Sequence, residues 1–278
     1  MGRKIRNAFL LVVTLAMVSA TAVAITWAAL DVAQTPITGV TNEFTSGEIK
    51  AELTEIRWNG TKGTGDNNTT GTGSDDIPTD GNSGQEKARN YVVKQEIEKN
   101  PKVANTSETA LDEYVAIKVT YEIVLNNTSY YYTKSQFESQ MAKLYHKNAS
   151  GTATEGYNSN DWDMNTNGTM FYYKGGDGTG NNGNAGKLPQ GKYTTRLFDY
   201  VKINDIATTT DAGHTGEYKF SVGATSASSL LSSLSDSVYV TGLPKFTITV
   251  QAFAISADGY TSVDSTVKGA LDKTAGIS

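Results

Sequence analysis

The sequence predicts an all-β protein, an antiparallel sandwich with one or two short helices and long polar loop insertions. Three observations carry that prediction. Alternating apolar and polar residues recur in short segments, the signature of half-buried strands. No strand–helix–strand alternation is present, which argues against a parallel sheet. The connections are rich in Gly, Asn, Thr and Ser, within a chain of 278 residues that holds 27 Gly and 15 Tyr but only 8 Phe.

The elements follow in order. Gly2 to Asn7 is a basic stretch carrying Arg3, Lys4 and Arg6, and residues 8–30 carry no charge. This is the layout of a secretory signal, with small residues before a cut after Ala20, Ala24 or Ala28. A retained membrane anchor is the alternative, since about 20 apolar residues span a bilayer. Ile49, Ala51 and Leu53 alternate with Lys50 and Glu52, and Ile56 and Trp58 continue on the opposite parity, so a one-residue bulge is expected near Glu55. Residues 59–84 have almost no apolar side chain and read as a surface insertion. Val92 to Ile97 resumes alternation. Val115, Ile117, Val119, Tyr121, Ile123 and Leu125 then share one face of the clearest strand in the chain.

Thr133 and Gln136 have capping-box spacing, and Phe137, Met141, Leu144 and Tyr145 form one helical stripe. Residues 148–186 form a second polar insertion, interrupted by a strand at Met170–Tyr173. Further strands are expected at Tyr193–Ile203, Glu217–Val222 and Lys245–Ser256, and a last helix at Val263–Leu271. The reading is a signal at 1–28, an N-terminal arm at 29–41 and one domain at 42–278.

Composition excludes several functions. There is no Cys, hence no disulfide, thiol nucleophile or thiolate zinc site. A net charge of −5, without a basic cluster beyond the n-region, argues against nucleic-acid binding. Only His146 and His214 are present. No His-Glu-x-x-His helix and no Gly-x-Ser-x-Gly elbow occur, and the Gly-rich run 175–186 lacks the Lys-Ser/Thr of a phosphate loop. His146 is expected at a helix C-terminus and His214 in a loop. No catalytic residue or cofactor is assigned. Asp161, Asp163, Asn165 and Asn167 are the candidate metal ligands: Asp163 opens an Asp-x-Asn-x-Asn-Gly run, the start of a calcium loop, but its twelfth position is Lys174 where a bidentate Glu belongs. A turn ahead of Tyr172 accounts for the same residues.

Several segments resemble the TasA/camelysin family. Asn42-Glu43-Phe44-Thr45-Ser46-Gly47 is similar to its Asn-x-Phe-Thr-x-Gly start. Ile97–Val119 is similar to its Lys-x-Pro-x-Val-x-Asn-Thr segment, with Lys99, Pro101, Val103, Asn105, Thr106, Tyr114 and Val115 in place and Ser107 where Gly is usual. Arg196–Ile203 and Ile248–Tyr260 resemble two further family strands. The resemblance implies a jelly-roll protein, cut by a SipW-type signal peptidase between Ala28 and Ala29 and secreted to the matrix or cell surface. It implies a head-to-tail homopolymer, with minor fibre subunits as further partners. Each N-terminal arm would then serve as a donor strand completing a neighbour's sheet, with Leu30, Val32, Ile37 and Val40 as its apolar residues. Camelysin-like members suggest the alternative of a surface metalloprotease, which would need His146 or His214 as a ligand. A monomeric adhesion module is the third reading.

Overall fold

The structure is a computed structural model that describes residues 28–29, 41–44, 49–59, 83–107, 111–148, 150–175, 186–223 and 230–277. Its strands, in chain order, are β1 (Ala28–Ala29), β2 (Thr41–Phe44), β3 (Ile49–Thr54), β4 (Glu96–Glu98), β5 (Lys102–Asn105), β6 (Glu113–Leu125), β7 (Thr128–Tyr132), β8 (Ala142–Lys147), β9 (Ala153–Glu155), β10 (Trp162–Met164), β11 (Met170–Tyr173), β12 (Tyr200–Ile203), β13 (Tyr218–Val222), β14 (Asp236–Val240) and β15 (Lys245–Ser256). The helices are α1 (Ile56–Asn59), α2 (Gly84–Ala88), α3 (Lys134–Gln140) and α4 (Ser265–Thr274). All strand pairings within the sheets are antiparallel, and the sheets form a curled half-barrel.

β6 is the spine. It pairs with β15 from Glu113↔Ser256 to Val124↔Lys245, and its other edge is shared by β11 and β7. Its inward residues Val115 to Leu125 join Phe246, Ile248, Val250, Ala252 and Ala254 in one core with Ile49, Leu53 and Val103. The alternation read from the sequence is therefore the side-chain period of the sheet. Both strands hydrogen-bond along their length and bury both faces over much of it, which gives them the densest packing of backbone and apolar groups. The six-stranded sheet runs β1-β15-β6-β11-β10, with β7 beside β6. Around it stand a three-stranded sheet (β2-β3-β5), a four-stranded sheet (β4-β12-β8-β9) and the β13–β14 hairpin.

A second, smaller core lies on the opposite face, where Val267 and Leu271 of α4 cover Tyr114, Ala116, Met170, Tyr172 and Phe253. Asp264 caps this helix by accepting from the Thr266 and Val267 N–H groups. Each fully buried Val or Leu contributes about 1.5–3 kcal/mol, enough to hold a ten-residue helix that would be marginal alone.

Several expectations are corrected. Ile56 and Trp58 do not continue β3 past a bulge. The chain turns into α1, where Trp58 N–H donates to the Glu55 carbonyl and Arg57 N–H to Asn100 Oδ1. Both parities are thereby buried together. The capping box at Thr133 and Gln136 forms as read, but α3 stops at Gln140. Leu144 and Tyr145 belong to β8, since a 137/141/144 spacing fits a short helix followed by a strand as well as one long helix. Pairing of β8 with β12, Ile203↔Ala142 to Tyr200↔Tyr145, decides it. His146 therefore sits in a strand. β12 begins at Tyr200 rather than Tyr193, and β4 spans only Glu96–Glu98. Among the described residues the helices number four, where one or two were expected.

Candidate functional site

The feature that bears most directly on function is the outer edge of β15. There Ala28↔Val250 and Ala29↔Thr249 pair antiparallel, so the segment at the expected cleavage site is itself a strand of the main sheet. The chain next reappears as β2, which pairs with β3 from Thr41↔Glu52 to Phe44↔Ile49. β3 in turn packs its buried Ile49, Ala51 and Leu53 against the β15 face. The N-terminal segment thus serves both layers. Residues 30–40 connect β1 to β2. The candidate donor residues Leu30, Val32, Ile37 and Val40 lie outside the described residues.

A buried polar latch holds β3, the strand that pairs with β2. Asn105 is fully buried; its Nδ2 donates to the Leu111 and Leu188 carbonyls, and its Oδ1 accepts from Ser107 N–H. Thr106 donates from both N–H and hydroxyl to the Lys50 carbonyl. Ser107 Oγ donates to Glu113 Oε1 at 2.7 Å, and the Lys50 N–H reaches Ser107 Oγ at 3.1 Å and Glu113 Oε1 at 3.2 Å. Ser107 thus acts as a relay between β3 and β6. Burial pushes the Glu113 carboxyl up to about 7, against the pull of the Ser107 hydroxyl and the Lys50 N–H.

A second buried polar pair lies at the other end of β3. Lys99 Nζ is 2.8 Å from Glu55 Oε1 and 3.1 Å from Oε2, with both side chains at 0–1% exposure. The ammonium lies 4.8 Å from the centroid of the Trp58 ring. Burial pushes Glu55 up and Lys99 down, while each partner opposes the shift of the other.

The candidate metal ligands fall in and beside the β10–β11 hairpin. Asp163 accepts from Lys174 and Lys268, both at 2.8 Å, and these ammonium groups outweigh the effect of burial and hold its carboxyl below the usual range. Asn165 Oδ1 accepts from the Thr169 and Met170 N–H groups, closing the turn, and Gly168 takes φ +67° there. Asp161 Oδ2 accepts from Asn158, and the Asn167 carbonyl from Lys134 N–H. The run is thus organised as a hairpin turn whose charge is met by lysines.

The histidines stand on separate elements. On β8, His146 Nδ1 lies 3.1 Å from Asp199 Oδ2; His214 Nδ1 lies 2.7 Å from Glu217 Oε2 while its ring stacks on Tyr239. Burial raises the Asp199 carboxyl, but His146, the Lys147 N–H and Arg196 together hold it below its ordinary value. Among the described residues no group of three His, Asp or Glu is placed to hold a metal ion, and no helix is long and apolar enough to cross a membrane.

No family model, curated protein or solved structure matches the chain. The likeness to TasA and camelysin rests on the motifs alone, and most of their residues turn out to be interior. Lys99 is in the buried pair, Asn105 to Ser107 form the latch, Tyr114 and Val115 open β6, and Ile248 to Ile255 run along β15. Sequence reading missed the pairing roles of Glu55 and Glu113. The available signal was a charge set directly against an apolar strand, as in Leu53-Thr54-Glu55-Ile56 and Glu113-Tyr114-Val115.

Proposed function

We propose that the chain is a secreted jelly-roll subunit that polymerises into extracellular matrix fibres, each copy donating its N-terminal strand to the β15 edge of the next, with no catalytic step. One observation carries this reading: β15 takes up, as its outer neighbour, a segment more than 200 residues away in sequence, separated from β2 by the eleven residues 30–40. A strand held by edge hydrogen bonds and a long linker can pair with its own body or with an identical edge on a neighbour at little difference in energy. That is the condition for strand exchange. The SipW-type peptidase would act before assembly, and minor subunits would start or end the polymer.

The test is negative-stain electron microscopy of the mature chain beginning at Ala29, beside a variant lacking Ala29–Thr35. Filaments are expected from the first. The second should give only monomers whose circular dichroism matches the parent. Filaments from the shortened chain would overturn strand donation, and monomers from both would point to an adhesion module.

A further inference from the structure

We propose that Lys99 and Glu55 are the two halves of an intramolecular isopeptide cross-link, formed by the folded chain on itself. The geometry brings the reacting groups into contact: Nζ sits between the two carboxylate oxygens, at 2.8 and 3.1 Å, and the carboxyl carbon is the next atom. Both side chains are sealed from solvent, and the Trp58 ring forms part of the wall. The Glu55 carboxylate has no other hydrogen-bond or ion-pair partner among the described residues, whereas the Glu113 carboxylate takes two donors and the Asp199 carboxylate three.

Spare polar atoms cluster in the same two segments. Thr54 Oγ1, Trp58 Nε1 and Asn100 Nδ2 are buried without a hydrogen-bond partner among the described residues. Each of these residues lies within three positions of Glu55 or Lys99 in the chain, so unmet polar groups accompany the pair. Burial shifts the pair toward its neutral form, a carboxylic acid beside an amine, by passing one proton from nitrogen to oxygen. The terminal torsion of Glu is soft, so the carboxyl can turn its face to the amine without moving the backbone.

The step balances without a co-reactant. The Lys99 nitrogen lone pair forms a bond to Glu55 Cδ, the bond from Cδ to its hydroxyl breaks, and the proton shed by nitrogen leaves with that hydroxyl as one water. Nothing is oxidised or reduced. The product is a buried amide that carries no charge, so the cost of holding two ions away from water disappears.

The link would join the end of β3 to the segment entering β5, across the insertion at 59–84. A chain with no Cys has no disulfide with which to staple that loop, and an amide does the same job. It would fix the strand that carries the N-terminal arm, whether or not the arm engages a neighbour.

The experiment is tryptic mapping by mass spectrometry of the purified, folded full chain. A cross-link blocks cleavage after Lys99. It should yield one branched species joining Ala51–Arg57 to Gln95–Lys102, lighter by one water than the two peptides together. Lys99→Met should remove that species, and the parent should melt at higher temperature than this variant. The parent map decides the matter even if the variant fails to fold. Recovery of linear Gln95–Lys99 with unbridged Ala51–Arg57 and no branched species overturns the proposal. So does a water deficit that maps to another site, such as a dehydrated Asp-Gly.

Discussion

Glu113 is buried at the head of β6 with a hydroxyl and an N–H donor, and no ion pair among the described residues. Its carboxyl titrates at about 7 in the fold and near 4.5 when unfolded, so the folded state binds its proton more tightly. For such a group the stabilisation is full below pH 4.5 and lost as pH rises through 7, on the order of 3 kcal/mol at most. Urea unfolding should therefore show lower stability at pH 8 than at pH 5. Glu113→Gln should flatten that slope, and a slope unchanged in the variant would assign it to other groups. Neither Glu113 nor Lys99 was legible as a buried residue, since a charged side chain in an unaligned sequence reads as surface until its partner is known.

At the scale of elements, local chemistry fixes two joints that packing alone would leave loose. The β6–β7 hairpin turns on Asn126 at φ 48° and Asn127 at φ 65°, the paired left-handed residues of a tight turn matched to strand twist. Asn127→Gly should be neutral or slightly stabilising, whereas Asn127→Val should cost about 1–2 kcal/mol in thermal or urea melts. Gly84 opens α2 where a Cβ would lie 1.8 Å from the Glu98 carbonyl oxygen and 3.0 Å from the Trp58 ring. Gly84→Ala should therefore destabilise by more than 1 kcal/mol, separating the short helix from β4. An unchanged melting temperature would mean that α2 shifts freely. β6 and β15 were readable because one apolar face alternates along each, even where burial extends to the other face, and the start of α3 from its capping box. β9, exposed at all three residues, and β14, with none buried, have no inward face to leave a mark in the sequence. The end of α3 was misread because its apolar residues serve helix and strand in succession.

The whole molecule is a ladder of unequal strength. Amide exchange should be slowest in Val115–Val124 and Phe246–Ile255, where each strand has a partner along its length and a core beneath, and fast in β9 and β13–β14. Uniform protection would show a single cooperative unit instead. Which strands would be neighbours was not in the pattern, because alternation gives a strand its faces but not its partners. Placing the N-terminus beside β15 is the least legible feature and has a consequence for timing. A protease reads its substrate as an extended strand, through the same backbone groups that a sheet neighbour occupies. If the bond from Ala28 to Ala29 is the one cut, docking on Val250 and Thr249 shields it. Yet Val250 leaves the ribosome some 220 residues after Ala29, a delay on the order of 10 to 40 s at ordinary rates of synthesis. A peptidase cutting there would have that interval to itself, and a chain that missed it would fold over the bond to be cut.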